Sequence, residues 1–256
     1  MDKLYQDIDA LLSQVEIDFG GGCSVIKAYL MACLIRDEGL RSTLDIGVYR
    51  GRSLFPQALA HRQHTSGVAY GVDPFDSMEA VQQDAPAAIS DLVKAWARDT
   101  DLQQVYDEVV SLTTKFDLEA HCTLVRQPSA KAIGYFRERD IVFDLVHIDG
   151  NHDTVRVRED VDLYLPRLRR GGYLVLDDVS WESIRPVYEE LKSRLGHVFE
   201  LVDSRNDFAI FWNSTDWVGT QRRRAHYARW RLSATLSKLK SRAVRLARMR
   251  RSPVGR

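Results

Sequence analysis

Apolar residues along the first 220 positions fall into two alternating rhythms. STLDIGV (42–48), GVAYGVD (67–73), CTLVRQ (122–127), FDLVHID (143–149) and RGGYLVLDD (170–178) are short runs with little polar interruption, and read as buried strands. Between them apolar residues recur every three or four positions, which predicts helices over 51–62, 129–136, 153–168 and 183–195. FELVD and FAIFW, around a turn at Ser204 to Asp207, predict a closing hairpin-like pair. Upstream, Leu4, Ile8, Leu11, Leu12 and Val15 predict a helix over 2–19, broken by Gly20-Gly21-Gly22. A second, largely apolar helix follows over 24–38 and stops at Gly39. The segment from about Asp84 to Glu119 is mostly helical and longer than an ordinary crossover, so it forms either a lid or extra packing.

Strands that alternate with helices predict an α/β fold, a doubly wound, mostly parallel sheet with an antiparallel edge from the last pair. The expected division is a helical cap over 1–40, an α/β domain over 41–220 and a tail over 221–256. A chain of 256 residues, 45% apolar and 28% charged, is long enough to bury a sizeable core. Its longest apolar stretch, VIKAYLMACLI, is too short for a bilayer and holds Lys27. Cys23, Cys33 and Cys122 are odd in number and lack ligand spacing, so they read as reduced thiols; with an acidic start, MDKLYQDIDALL, this points to the cytoplasm.

The net charge of zero hides an asymmetry. From Gln221 onward there are 13 Lys/Arg and no acid, which leaves 23 bases against 36 acids in the first 220 residues, a net of −13. Ala225, Ala228, Leu232, Leu236, Leu239, Ala243 and Leu246 form one helical stripe, with most bases off it. Such a helix suits peripheral contact with an anionic membrane at its inner face, or a partner helix. No aromatic-rich motif accompanies it, which argues against nucleic acid.

The chemistry gathers where strands end. LDIGVYRGRS places Asp45-x-Gly47-x-x-x-Gly51 and then Ser53 at a strand-to-helix junction, where glycines admit a ligand to the backbone and to the free N–H groups of a helix start. Asp73 ends the next strand, where nucleoside-binding sheets place an acid for ribose hydroxyls. Asp149 and the pair Asp177/Asp178 end two more strands, and acids held so close usually serve a cation, a proton transfer or a cofactor. His147 reads as a packed core residue.

Taken in order, Asp45-x-Gly47-x-x-x-Gly51, VDPF with Asp73, DLVHIDGNHD and LVLDD resemble class I S-adenosylmethionine methyltransferases. More narrowly they resemble the metal-dependent O-methyltransferases, the macrocin-type sugar enzymes and, more distantly, catechol O-methyltransferase. The resemblance covers about residues 24 to 212. It implies a seven-stranded sheet of order 3-2-1-4-5-7-6 and S-adenosylmethionine bound by Asp45, Gly47, Gly51, Ser53 and Asp73, with Ser129 over the adenine. It implies Mg²⁺ or Mn²⁺ on Asp149, Asp177 and Asp178, and His152 as general base, with Asp153 as alternative base or as the group orienting His152. Gln127 stands where many relatives carry glycine, and Asp178 where many carry asparagine. The expected activity is methyl transfer to a hydroxyl, of a sugar in a glycan or glycoside rather than a catechol. An RNA methyltransferase, a non-catalytic nucleoside-binding protein and a homo-oligomer stay open.

Overall fold

The computed structural model describes residues 2–18 and 22–228. Helix α1 (Lys3–Leu12) starts where the Asp2 carboxylate accepts from Leu4 N, and buries Leu4, Ile8, Leu11 and Leu12. It is shorter than the apolar spacing suggested, because the chain turns after Leu12. Helix α2 (Val25–Glu38) is capped by Ser24, which accepts from Lys27 N, and ends at Gly39 in the left-handed region, φ 64°. Every residue from Lys27 to Ile35 is buried, the pattern of a helix enclosed on all sides.

The alternating part follows. Strands β1 (Ser42–Ile46), β2 (Val68–Val72), β3 (Cys122–Val125), β4 (Phe143–Ile148) and β5 (Leu168–Asp177) are interleaved with helices α3 (Leu54–Ala60), α4 (Ser90–Asp99), α5 (Leu102–Lys115), α6 (Ser129–Glu138) and α7 (Thr154–Tyr164). Helix α8 (Arg185–Arg194) leads to the closing pair β6 (Gly196–Asp203) and β7 (Asn206–Trp212). The last two strands are longer than expected and their turn tighter. The expected helix over 51–62 continues α3 into one wider π-helical turn, His61–Thr65.

The seven strands lie in the order β3-β2-β1-β4-β5-β7-β6, as the resemblance implied. The first five are mutually parallel and β7 runs antiparallel to both its neighbours. Apolar clusters fill both faces. One holds α1, α2 and α3, including Leu4, Leu30 and Phe55; the other holds α6, α7 and α8, including Phe136, Tyr164 and Leu191. The helical cap expected over 1–40 is therefore one layer of the fold, sharing its core with the sheet.

The boundary expected at 220/221 falls inside a helix, α9 (217–228). Its Arg223 stacks on Trp212 at 3.8 Å and donates to Tyr173 Oη, and Tyr227 is buried, so the tail begins packed on the body. The rest of the basic stripe, from Leu232 to Leu246, lies outside the described residues. Among those described, no helix is long and apolar enough to cross a membrane. Cys23, Cys33 and Cys122 are buried and form no disulfide.

Register positions the site. Ile46 lies opposite Val72 and Ile148, and Ile148 opposite Leu176, so these four strands end abreast. Gly47 N donates to Val72 O and Asp149 N to Ile46 O, both at 2.9 Å, which continues the pairing one residue past the strands.

Phe136 is fully buried and meets Tyr70, Phe143 and Tyr164 edge-on. Phe136→Ala is expected to cost about 3–5 kcal/mol, from lost burial and the cavity left behind. Urea unfolding followed by tryptophan fluorescence measures it.

Candidate active site

The loop after β1 is shaped by two glycines. Gly47 has φ 88°, and a Cβ there would lie 2.0 Å from the carbonyl oxygen of Asp149. Only glycine lets the β1 and β4 ends touch at that point. Gly51 has φ 77°, and a Cβ there would strike the Phe55 ring at 2.5 Å. Between them Tyr49 is held at φ 44°. Its N–H donates to Asp73 Oδ2 at 2.9 Å, and Phe75 N donates to Oδ1 at 2.7 Å. Asp73 thus ties the glycine loop to the end of β2. Burial pushes its pKa up, against the backbone donors that favour the carboxylate.

Two expected nucleoside contacts turn inward instead. Asp45 is fully buried, accepts from Ser53 Oγ at 2.7 Å and pairs with His147 Nδ1 at 2.5 Å. Neither oxygen of Asp45 faces the cavity. Ser53 reaches the cavity wall, but its hydroxyl is committed to Asp45. A strand residue alternates between the two faces, and the motif alone does not reveal that Asp45 points beneath the loop.

The acids at the ends of β4 and β5 converge, together with a residue not foreseen there. Lys27 of α2, 3% exposed, donates to Asp149 Oδ2 at 3.1 Å and to Asp177 Oδ2. Burial disfavours its charge, but Asp149 and then Asp177 outweigh that, and its pKa stands well above the ordinary value. Its signal in the sequence was one lysine inside an otherwise apolar helix. Burial also opposes ionisation of Asp149, yet Lys27 and then His152 hold its pKa well below the usual range. Asp177 shifts the other way, raised by burial and by the nearby Asp149.

His147 also belongs to this cluster. Locked by Asp45 on one side, it presents Nε2 at 3.5 Å from Asp177 Oδ1 and 3.9 Å from Asp149 Oδ2, without hydrogen-bond geometry to either. Burial works against its proton, but Asp45 outweighs it and the pKa is raised to about 9.

His152 Nε2 lies 3.1 Å from Asp178 Oδ2 and 3.5 Å from Asp149 Oδ1. Burial opposes the imidazolium, Asp178 and Asp149 overcome it, and the pKa rises to about 9. Asp178 sits at φ 52°, and burial, which outweighs the attraction of His152, pushes its pKa up to about 7. The His152 ring packs 4.9 Å from Trp181. Asp153 neither orients His152 nor faces the cluster. Its Oδ1 accepts from Gln83 N and Asp84 N at 2.7 Å each, which pins the loop after β2 to the start of α7.

The three carboxylates expected as one metal set divide. Among the described residues, the groups whose ligand atoms come within 4.8 Å of one another are His147/Asp149/Asp177 and Asp149/His152/Asp178. The facing oxygens of Asp149 and Asp177 are bonded to an ammonium, so the inner gap holds a cation of the protein's own. The donor set does not fit a divalent ion there.

One cavity of about 580 Å³ joins these parts. Gly47, Tyr49 and Asp73 line one end, Ser129 borders it at the start of α6, and Lys27 and His152 line the other. Trp181 and the turn Ser204–Arg205 close that far end.

A seven-stranded sheet of this order with a glycine loop at its carboxyl edge is the class I methyltransferase architecture. The family model described as "Methyltransferase domain" matches residues 44–179, and the chain belongs to that family. Its fold is similar to an O-methyltransferase from Bacillus cereus solved with S-adenosylhomocysteine (14% identity, 83% of this chain and 90% of that one, TM-score 0.55). It is equally similar to TomG from Streptomyces achromogenes, an O-methyltransferase involved in tomaymycin synthesis solved with S-adenosylmethionine (14%, 83% and 90%, 0.55). The S-adenosylhomocysteine-bound methyltransferase PaMTH1 from Podospora anserina shares 16% identity, over 84% of this chain and 89% of that one, TM-score 0.52. No curated protein matches in sequence.

Asp160 of α7, 3% exposed, lines the same cavity beside Ser129, and burial raises its pKa to about 7 against the pull of that hydroxyl. Its folded pKa lies above its unfolded one, so the native state holds the proton longer. Stability should fall as pH rises from about 4 to about 7, by on the order of 4 kcal/mol, and then level off. In Asp160→Asn that part of the slope should vanish, read from urea midpoints across this pH range.

Proposed function

We propose that this chain transfers the methyl group of S-adenosylmethionine to a sugar hydroxyl, in a glycan or glycoside. The observation that carries the reading is the single cavity that runs from the glycine loop and Asp73 to His152 and Asp178. A nucleoside seated on the loop would place its ribose on Asp73, the acid at the end of the second strand. The sulfonium would then face the acid-rich end, and negative charge around it favours a positively charged donor.

The far end suits a polyhydroxylated acceptor. Trp181 offers an aromatic side chain and Arg205 a polar one among the residues that line the cavity. A sugar ring has one apolar face and a rim of hydroxyls, and such a wall meets both needs; a catechol would call for a more apolar slot. Transfer is one in-line displacement. The acceptor oxygen forms its bond to the methyl carbon as the S–CH₃ bond breaks, and the hydroxyl proton goes to His152. Nε2 lies 3.1 Å from Asp178 Oδ2, and neither ring nitrogen has a protein hydrogen-bond partner; with a pKa of about 9, His152 accepts the proton in the molecules where it is neutral, a fraction that grows as pH rises towards 9. Asp178 stabilises the imidazolium so formed, in the manner of the acid in a catalytic triad.

The divalent ion is the part of the resemblance that the gap between Asp149 and Asp177 does not accommodate, whereas Asp149, His152 and Asp178 form a second, outer group of donors. When bound in such enzymes the ion polarises the acceptor hydroxyl. Here the oxygens that would hold it between β4 and β5 are engaged by Lys27.

Two variants test the assignment. Asp73→Ala should weaken S-adenosylhomocysteine binding by roughly 1.5–3 kcal/mol, the worth of hydrogen bonds to a charged group, as measured by calorimetry on folded protein. His152→Ala should lower kcat by about 10²–10⁴ with binding of that ligand intact. Its readout is methyl transfer over a panel of glycans and glycosides, and a normal kcat would remove His152 from the reaction.

A further inference from the structure

A lysine carried by a buried apolar helix into a cluster of acids needs a reason, because burying a charge is costly unless it is paired. Lys27 is placed with care. Ser24 Oγ accepts from Lys27 N at 3.0 Å and donates to Asn206 Oδ1 at 2.5 Å, so the first turn of α2 is tied to the start of β7. From there the side chain reaches the gap between the β4 and β5 ends. Two of its three N–H donors meet Asp149 and Asp177, and the third has no protein partner among the described residues. Lys27 also lines the cavity, on the side that holds His152.

We propose that the Lys27 ammonium is the resident cation of this site, taking the place between Asp149 and Asp177 that the resemblance gives to a divalent metal ion, and that its free N–H orients the acceptor hydroxyl. The inference deepens the methyl-transfer reading and rests on it. Three observations support it. The inner oxygens of both carboxylates are already bonded to one positive charge. His147, fixed by Asp45, lies 3.9 Å from the Asp149 oxygen that Lys27 binds and 3.5 Å from the other oxygen of Asp177, and adds a second basic group. A divalent ion in that gap would be forced against the ammonium, and like charges at such separation repel strongly. The ammonium also supplies part of what a metal would. It donates a hydrogen bond to the acceptor oxygen, steadies negative charge that develops as the proton leaves for His152, and keeps Asp149 and Asp177 from repelling the oxygen.

The direct test is Mn²⁺ uptake by the full chain, measured from the loss of the free-ion electron paramagnetic resonance signal. Wild type should take up no ion that depends on Asp149. Lys27→Met should take up roughly one per chain, and the added change Asp149→Asn should abolish it, because the vacated carboxylates then form an oxygen site. Uptake by wild type that is lost in Asp149→Asn or Asp178→Asn overturns the proposal, whether or not Lys27→Met folds. A folded Lys27→Met that gains no ion overturns it too. S-adenosylhomocysteine binding to wild type in chelator is measured alongside. Loss of that binding alone would count against the methyl-donor reading, whereas the Mn²⁺ result bears on Lys27.

Discussion

The site rests on the ammonium of Lys27 held between Asp149 and Asp177. Four acids, Asp45, Asp149, Asp177 and Asp178, crowd the carboxyl edge of the sheet, and three basic side chains, Lys27, His147 and His152, stand among them. Without internal compensation such a group would be forced to bind protons or a metal. With it, the acids can remain in a largely buried cavity and still face a reacting centre. The same contact ties helix α2 to the ends of β4 and β5, so α2 borders the acid cluster as well as the core.

The rest of the architecture serves that edge. Parallel pairing brings Gly47, Asp149 and Asp177 abreast, and the missing side chain of Gly47 lets the β1 and β4 ends touch. Asp73 accepts two backbone N–H groups and fixes the loop that would carry the donor. Asp45, buried below, holds His147 upright and Ser53 in place. Asp153 anchors the loop after β2, over the same cavity edge. Residues that look alike in a motif thus divide into those that face a ligand and those that hold the ones that do.

That division marks what was legible beforehand. The alternation of strands and helices, the glycine loop and the acids ending β2, β4 and β5 could be read from the sequence, because alternation and strand-end position follow from backbone geometry; the strand order came through the family resemblance. Side-chain direction could not. Asp45 and Asp153 were expected at the ligand and turn away from it, and His147 was taken for packing although it faces Asp149 and Asp177. Lys27 was visible only as a lone charge in an apolar helix. Its meaning depends on a contact across 122 residues, which no local pattern encodes. Charge composition changes at 220/221, but Arg223 and Tyr227 pack back onto the body, a contact that composition does not encode.

The most direct test of the account is a crystal structure of the full chain grown with S-adenosylhomocysteine and Mn²⁺, with anomalous data collected for manganese. The account predicts the ribose hydroxyls on Asp73, the sulfur facing His152, Lys27 between Asp149 and Asp177, and no anomalous peak in that cluster. A manganese peak bonded to Asp149 with Lys27 displaced, or the nucleoside bound away from the glycine loop, would contradict it.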